Sequence, residues 1–458
     1  MGSLSAALNI ALRSMLTEQG AIATTSNNIA NVNTPGYARQ VPDLTETQPV
    51  TLGNLTFGTG VQMQQVTSLR DSILDLRVNQ ETQQQGQLNS FLGPAQQIQA
   101  LFNETSGSGL QNSLTSFFSS FSQLSTNPSN LNARQGVLTA GQNLATAFNQ
   151  SANNLVTLQR NVDLSISQSV TQVNTLATQI AAVNTQVTAA TESGQSAGPF
   201  IDQRQQLLTQ LSNLVDVSEI DAGHGSLTLT TSSGAPLVVG GQSYQLTTQP
   251  DSVTGLQHVF SQGQDITSRI TSGQLAGQLQ MRDREIPSLE KSLDTLASGI
   301  ANAVNTQHQA GFDLNGAAGG NFFVPPPANG VGAASALSVA ITDPTKVAAS
   351  ANGAVGDNAN SNAILAIQNQ AVAGGQTPIN YYAGIVFNLG NDISSAQTQQ
   401  QSGALVLAQI QNLQGGVSGV DLNEEAANLI RFQNAYTAAA QVSSIINTLL
   451  QTTINMVQ

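Results

Sequence analysis

Apolar residues recur at three-, four- and seven-residue spacing at both ends of the chain. Near the start, Leu4, Leu8, Ala11, Met15, Ile22 and Ile29 make one stripe along a helix whose other faces are polar. The stretch Ser26–Tyr37, SNNIANVNTPGY, ends that helix. Asn31, Asn33 and Gly36 tolerate left-handed dihedrals, and Pro35 disfavours helical geometry at Thr34. Near the other end, Leu429, Phe432, Tyr436, Ala439, Val442, Ile446, Leu449 and Met456 form a second stripe. Asp421 is placed to cap it, with Glu424 in the capping-box position and Glu424 and Glu425 at the positive end of the helix dipole. The two terminal stripes are expected to pair. In an isolated subunit each terminal helix is expected to be marginal until neighbouring subunits arrive.

The pattern between them changes period several times. From Val41 to Val66, prolines and glycines (Pro42, Pro49, Gly53, Gly58, Gly60) interrupt short extended segments. A helix follows from about Ser68, with Leu69, Ile73 and Leu76 on one face, and Gly93-Pro94 is expected to break or kink it. Leu110 to Leu124 carries an apolar face of Leu114, Phe117, Phe118 and Phe121. The turn Ser125–Asn130 then opens the longest periodic run, Ala133 to Thr191, whose Leu155, Val162, Ile166, Val173 and Ile180 predict a coiled-coil strut of roughly 85 Å. Glu192 to Pro199 reads as a loop and Phe200 to Leu214 as a returning helix.

Beyond it the period becomes two. Leu227 and Leu229 alternate with Thr and Ser, Leu237 to Val239 reads as a buried strand, and Tyr244 with Leu246 begins a third. Helical spacing resumes after Gln274 through Leu289, Leu293, Leu296, Ile300 and Val304. Asn321 to Gly332, with Pro325 to Pro327, is a connector, Leu337 to Ile341 one more strand, and Ala351 to Asn362 a surface loop. Ala363 to Ala373 and Tyr381 to Leu413 read as helices, the latter antiparallel to the strut.

The expected fold is therefore mainly α with an inserted β domain: terminal helices pairing as a coiled coil, a long helical rod body and a small antiparallel β domain. Residues 1–66 form an N-terminal segment paired with 415–458. The rod body is 67–215, continued by 265–320 and 363–414. The β insert is 216–264, with 321–362 a candidate addition to it. Terminal heptad helices bracketing a rod suit a subunit stacked in a fibre or tube. The insert, built of generic strand and turn chemistry, is expected to be dispensable for assembly.

Composition narrows the classes. At 458 residues the chain is long enough for several cores. The absence of cysteine excludes disulfides, thiolate metal sites and a cysteine nucleophile. A net charge of -13 with only two lysines, Lys291 and Lys346, leaves no basic footprint for nucleic acid or an anionic membrane face. No stretch reaches the ~20 apolar residues of a membrane span, so no membrane insertion is expected, and no cleaved signal is apparent at the start. Ala6 stands where a myristoylation motif needs Ser or Thr. With only 9% of residues charged, helix faces are neutral and polar, which favours packing against like subunits.

Candidate chemistry is thin. Gly58-Thr59-Gly60 lacks the third glycine and helix start of a phosphate loop and reads as a hairpin-like turn. Arg70, Asp71, Asp75 and Arg77 read as solvated i,i+4 pairs. His308 is expected to be structural, because His224 and His258, in the strand region, bring no ligand cluster. Asp313 and Asn315 fail the calcium-loop pattern at Ala317 and Ala318, and Asp357 with Asn358, Asn360 and Asn362 supplies one carboxylate only. No metal or cofactor is expected. A secreted hydrolase carried by the β insert has no G-x-S-x-G elbow and no paired His and acid to support it. An adhesin-like binding module on the insert is the other alternative.

Three stretches carry a resemblance. Ser26 to Gln40, the Asn-rich helix end with TPGY and ARQ, is similar to the N-terminal signature of bacterial flagellar axial proteins. Leu293 to Gly316, LDTLASGIANAVNTQHQAGFDLNG, and Ser418 to Val442, SGVDLNEEAANLIRFQNAYTAAAQV, resemble the flagellar hook-associated protein 1 family, the first of two hook-filament junction proteins. Ser68 to Glu81 and Ile201 to Val215 are also similar to it, and the likeness is weakest from Asp216 to Gln264 and Asn321 to Asn362. The family usually carries acidic residues late in the last helix, where Ser443 to Thr453 has none.

The resemblance implies a secreted, extracellular, non-enzymatic subunit of the flagellum, exported without a cleaved signal peptide. It implies a ring of identical subunits with hook protein below, the second hook-filament junction protein above and an export chaperone at the C-terminal helix. The expected axial assembly interface is Leu4, Leu8, Met15, Ile22, Asn27, Asn28, Ile29, Asn31, Pro35, Gly36, Tyr37, Leu429, Phe432, Tyr436, Ile446 and Leu449.

Overall fold

A computed structural model describes residues 2–52, 55–102, 109–223 and 225–457; His224 lies outside the described residues. Helix α1 (Gly2–Ala30) ends where the Asn-rich stretch predicts, with the Tyr37 N–H closing a turn on the Thr34 carbonyl and Gly36 at a φ of 76°. The chain then makes a long hairpin. Strand β1 (Gln40–Glu46) leads to β2 (Val50–Leu52), β3 (Leu55–Phe57) and β4 (Val61–Ser68); β1 pairs antiparallel with β4, and β2 with β3 beyond them. Gly60 belongs to this hairpin, its carbonyl accepting from the Thr47 N–H at 2.9 Å.

Helix α2 (Ser72–Leu101) starts at Asp71, whose carboxylate accepts from the N–H groups of Ile73 and Leu74 at 2.9 and 3.2 Å. It runs unbroken through Pro94, against the expected break. Phe91, Leu92, Ala95 and Ile98 are all buried around the proline. Burying large side chains at about 1.5–3 kcal/mol each outweighs a proline cost of roughly 3 kcal/mol. Helix α3 (Leu110–Thr126) precedes α4 (Leu131–Glu192), 62 residues capped by Asn130 and spanning about 93 Å at the usual rise per residue. Helix α5 (Gly198–Leu214) folds back from it.

Among the described residues, the strand region forms two antiparallel sheets. Strands β5 (Ser218–Gly223), β6 (Ser226–Thr230), β7 (Pro236–Val239) and β8 (Gln242–Ser243) lie in chain order in one. In the other, β10 (Gln257–Ser261) lies between β9 (Leu246–Pro250) and β11 (Gln264–Asp265). Helix α6 (Gly273–Gln280) then passes through a π turn, Met281–Glu285, into α7 (Ile286–Gln309). Two short helices follow, α8 (Ala333–Ala336) and α9 (Ala359–Ala366), before α10 (Pro378–Ser418) and α11 (Leu422–Val457).

Helix α4 is shared by two apolar cores. Its first part, Val137 to Val162, packs in a distal core with α2, α3, α7 and the segment that follows α7, centred on Phe117, whose ring lies 5.3–5.6 Å from Phe118, Phe121, Phe322 and Phe323. Its later part, Ile166 to Ala181, packs in a core nearer the terminal helices with α5, α6 and both sheets. The strut thus changes partners along its length, and among the described residues no single second helix accompanies it as the coiled-coil reading expected. Helix α10 lies antiparallel along α2 instead: Gln400 donates to Asn89 at 2.7 Å, Gln414 bonds Asp75, and Tyr382 packs 6.2 Å from Phe102.

Other expectations need correcting. Leu337 to Ile341 is not a strand but makes one isolated bridge, Phe323 to Val339, because no neighbouring strand lies beside it among the described residues. The helix placed at Ala363 to Ala373 starts at Ala359 and ends at Ala366 in a 3₁₀ turn. Phe322, Phe323, Leu337 and Val347 bury the 321–362 segment in the distal core, away from the core holding the β insert. That insert is bound to the body, since Leu229, Leu237, Val238, Leu246 and Val259 share a core with Ile166, Val173 and Ile180 of α4. Removing it would strip the cover from that part of α4, so its expected dispensability does not follow. The body is closely joined at Gly86 and Gly277: a Cβ at either would fall 2.2 Å from a backbone oxygen, of Asn213 and Gln87 respectively.

His308 is buried and uses both ring nitrogens within the protein. Nδ1 donates to the Gly320 carbonyl at 2.7 Å, and Nε2 accepts from the Ala348 N–H at 2.9 Å. Only a neutral ring satisfies both. Burial, aided by the nearby Arg134 charge, holds its pKa below the ordinary value of 6.5, although the Gly320 bond opposes the shift. The unfolded chain therefore takes up a proton first as pH falls. Stability should be intact above pH 6.5 and decline below it, by up to about 1.4 kcal/mol per pH unit, until the folded pKa is reached. Buried Asp216 and half-buried Glu219, with pKa values raised by desolvation, act in the opposite sense. Melting curves from pH 7 to 5 should show a falling midpoint for the natural chain and a flatter profile for His308→Gln. Equal slopes would exclude the imidazole as the cause.

Asp313 completes the turn beside it. Its Oδ1 accepts from the N–H groups of Asn315 and Ala317 at 2.9 Å, and its Oδ2 from Lys346 at 3.0 Å, so its bonds serve the turn.

Candidate assembly interface

Helices α1 and α11 pack antiparallel within one subunit, giving each an intramolecular partner. On α11 the buried residues are Glu425, Phe432, Ala439 and Ile446, seven apart. On α1 they are Ala11, Thr17, Ala21, Thr24, Thr25 and Asn28, small or polar residues that let α1 sit between α11 and the β1–β4 hairpin. Thr17 Oγ1 donates to the Val61 carbonyl at 3.3 Å, and a Cβ on Gly20 would meet Met63 at 2.7 Å. The large residues expected to face inward, Leu4, Leu8, Met15, Ile22 and Ile29, flank that line and are half-buried. Leu429 and Tyr436 are half-buried too. Leu449, expected on the inner stripe with Val442, stands outward at 48% exposure, because the buried line runs from Ile446 on its own seven-residue spacing.

At the base of this pair, residues from several segments interlock. Asn28, 1% exposed, donates from Nδ2 to the Gln40 carbonyl at 2.8 Å and to Glu425 Oε2 at 3.0 Å. Its Oδ1 accepts from the Tyr37 hydroxyl at 2.8 Å and the Gln40 N–H at 2.9 Å. All four positions of the amide are used. Arg39 donates from Nε to Glu425 at 2.7 Å and from Nη2 to Glu424 at 2.6 Å, while its backbone N–H holds the Ser418 carbonyl at the end of α10. Arg70 pairs with Asp202 of α5 at 2.8 Å and Asp75 of α2 at 3.3 Å, and donates to the Gly36 carbonyl at 2.9 Å. Asp202 also accepts from the Ala38 N–H at 3.3 Å, and Gln206 bonds the Pro35 carbonyl.

Electrostatics follow from this burial. Burial raises the Tyr37 pKa to about 12, helped by the negative charges of Asp202 and Glu425, so its hydroxyl stays a donor. Burial also raises Asp202, although Arg70 opposes it. Burial pulls Arg39 down, but its bonds to Glu424 and Glu425 prevail and its pKa is raised. The arrangement fixes the angle of the terminal pair to the body. A cleft of about 740 Å³ beside it is lined by Pro35, Tyr37, Gln205, Gln411 and Gln414.

Asn28 and Tyr37 are legible in the sequence, but their partners are not. Asn31 serves locally, donating to Asn27 Oδ1 at 2.6 Å and accepting from Thr34 at 3.1 Å, while Asn27, Pro35 and Gly36 are exposed. Arg39, Arg70, Asp202 and Glu425 were missed as a group. Arg70 meets its expected helix neighbour Asp75 at 3.3 Å, yet its shorter bond, 2.8 Å, reaches 132 residues along the chain to Asp202. Glu424 was expected in a capping box, but its carboxylate holds Arg39, and Asp421 alone caps α11, accepting from Asn423 and Glu424 at 2.7 and 3.3 Å. Outward from the pair, Leu12, Leu16, Ile430, Val442, Ile445, Leu449 and Met456 are exposed.

Asn28 and Tyr37 fall in one matched stretch, and Ser418, Glu424 and Glu425 in another. Residues 8–37 match the family model of flagella basal body rod proteins, and residues 414–456 that of the C-terminal part of flagellar basal body rod FlgEFG proteins. Residues 95–323 match the model of the flagellar hook-associated protein FlgK helical domain. The chain belongs to the flagellar hook-associated protein FlgK family. It is a structural component of the bacterial flagellum. Flagellar hook-associated protein 1 of Bacillus subtilis (strain 168) is 29% identical, with 98% of this chain and 97% of that protein aligned. Its namesake in Escherichia coli (strain K12) is 28% identical over 99% and 100%. The fold is similar to that of the flagellar hook junction protein FlgK from Burkholderia pseudomallei, with a TM-score of 0.68 at 18% identity, covering 75% of this chain and 100% of that one. Among the described residues, no helix is long and apolar enough to cross a membrane.

Proposed function

We propose that this family member forms the junction between hook and filament, as a ring of identical subunits whose terminal helix pairs line the assembled tube. The observation that carries this is the two-sided terminal pair: α1 and α11 bury one stripe against each other and leave Leu16, Ile445 and Leu449 exposed on the outside. An apolar face of that kind on a subunit's surface suits contact with further copies. The predicted interface residues divide between these roles. Phe432 and Ile446 hold the pair together, Asn28 and Tyr37 fasten it to the start of the β1–β4 hairpin, and Leu449 faces a neighbour.

In this reading hook protein lies below the ring, the second junction protein lies above it, and an export chaperone engages α11 before assembly. The protein is exported without a cleaved signal peptide and acts outside the cell without catalysis. The domain division at 66, 215, 264 and 414 belongs to the same proposal, with the interlocking residues as the joint between axial segment and body. Electron microscopy of flagella from a strain lacking the protein should show hooks without attached filaments. Normal filaments on that strain would defeat the reading.

A further inference from the structure

Asp163 and Arg282 meet at the level where two helices change cores together. On α4, Val162 is buried in the distal core and Ile166 in the other; on the helix beside it, Leu279 belongs to the latter core and Met281 and Ile286 to the distal one. Between the two lies a polar layer. Arg282, 1% exposed, donates from Nη1 to Asp163 at 2.6 Å and to the Gln257 carbonyl, and from Nε and Nη2 to Asp283 at 2.6 and 2.9 Å. The Gln257 N–H reaches the same Asp163 oxygen at 2.9 Å, and Gln159 donates to the Arg282 carbonyl at 2.9 Å. The layer therefore ties α4, the π turn and β10 at one point.

The π turn accounts for a guanidinium in this position. The Ile286 N–H reaches back to the Met281 carbonyl, so one extra residue is accommodated and the phase of the helix shifts by about 100°. Helix α2 crosses to the strand-bearing half with polar contacts as well, Asn79 to Glu219 at 2.8 Å and Gln83 to the Val217 carbonyl at 3.1 Å. Apolar packing is non-directional and tolerates small rotations, whereas a buried guanidinium fixed by several acceptors holds one arrangement.

We propose that this layer is a bending plane of the body, latched by Arg282. With the latch made, the two cores move as one; with it broken, they swing about α4 near Asp163. Arg282 is a positioning residue, and the inference rests on the body's own packing, apart from the flagellar reading. The chain has no cysteine, so Val253→Cys on the β9–β10 turn and Val355→Cys in the distal part, both exposed, take one spin label each in the full-length protein.

The labelled natural body should give one narrow distance distribution. Arg282→Met should broaden it and speed amide exchange over residues 275–286 roughly a hundredfold, since Asp163 is left buried without its cation. Asp163→Leu with Arg282→Met replaces the layer by apolar contact and should restore the narrow distribution. If Arg282→Met does not fold, Asp163→Asn, which keeps an acceptor and removes the charge, should broaden the distribution to a lesser degree. A folded Arg282→Met or Asp163→Asn protein with the natural distribution would overturn the proposal. So would a double variant as broad as the single one, because the layer would then not be the bending plane.

Discussion

Replacing Arg39 with alanine should loosen the first turns of α11 from the segment between α1 and β1 while both cores stay folded. Glu425 is 2% exposed and, among the described residues, keeps only Asn28 as a side-chain partner once the guanidinium is gone. A buried carboxylate stripped of its cation costs about 3–5 kcal/mol. Glu424, at 55% exposure, contributes less than about 1 kcal/mol through the same arginine, so Glu424→Ala is the mild comparison. Hydrogen exchange of the purified protein should show residues 38–41 and the first turns of α11 losing protection in Arg39→Ala, and cells carrying it should lose filaments. Arg39→Ala combined with Glu425→Leu should recover part of the protection, because no buried charge remains. Unchanged exchange at α11 in Arg39→Ala would show that the joint is held elsewhere.

Ile446→Asp should open the far end of the pair. The side chain is 6% exposed on α11, on the line of Phe432 and Ala439 that faces α1. The change removes burial worth roughly 1.5–3 kcal/mol and sets a carboxylate in an apolar contact, which adds several more. Gln441→Asp, on the exposed side of the same helix, is the control and should be tolerated. The defect recurs in every subunit of a ring, so filament attachment should fail even where the body's thermal midpoint is unchanged. Filaments on Ile446→Asp cells would separate this contact from assembly; an early-melting body would show that the terminal pair supports the cores.

What could be read without coordinates depended on how local each signal is. The ends of α1 and α4 were legible because Pro35, Gly36 and Asn130 act on their own backbone within a few residues. Pro94 shows the limit of that logic: a local cost was overruled by burial of Phe91, Leu92 and Ile98 against elements far along the chain. The β insert was recognisable from its period of two, yet its place in one core with α4 and α5 was not, since a strand's pattern says which face is buried and not against what. The stripe on α11 was found with its phase partly wrong. Phe432, Ala439 and Ile446 of the expected stripe are buried, whereas large apolar side chains such as Leu449 drew the line outward and Glu425 continues the buried side.

By itself the sequence determined a cysteine-free, acidic, mainly helical chain with paired ends, a long strut, a strand insert and a family signature at Ser26 to Gln40 and Ser418 to Val442. These are properties of periodicity, composition and short motifs, which need only neighbours within a turn or two. Tertiary structure alone decided that Arg39 meets Glu425 and Arg70 meets Asp202, pairs separated by 386 and 132 residues. It also decided that Arg282 is buried against Asp163. Charge-pair partners are set by where helices cross, and crossing is fixed by the packing of whole apolar faces. No local pattern encodes which carboxylate a given arginine will reach.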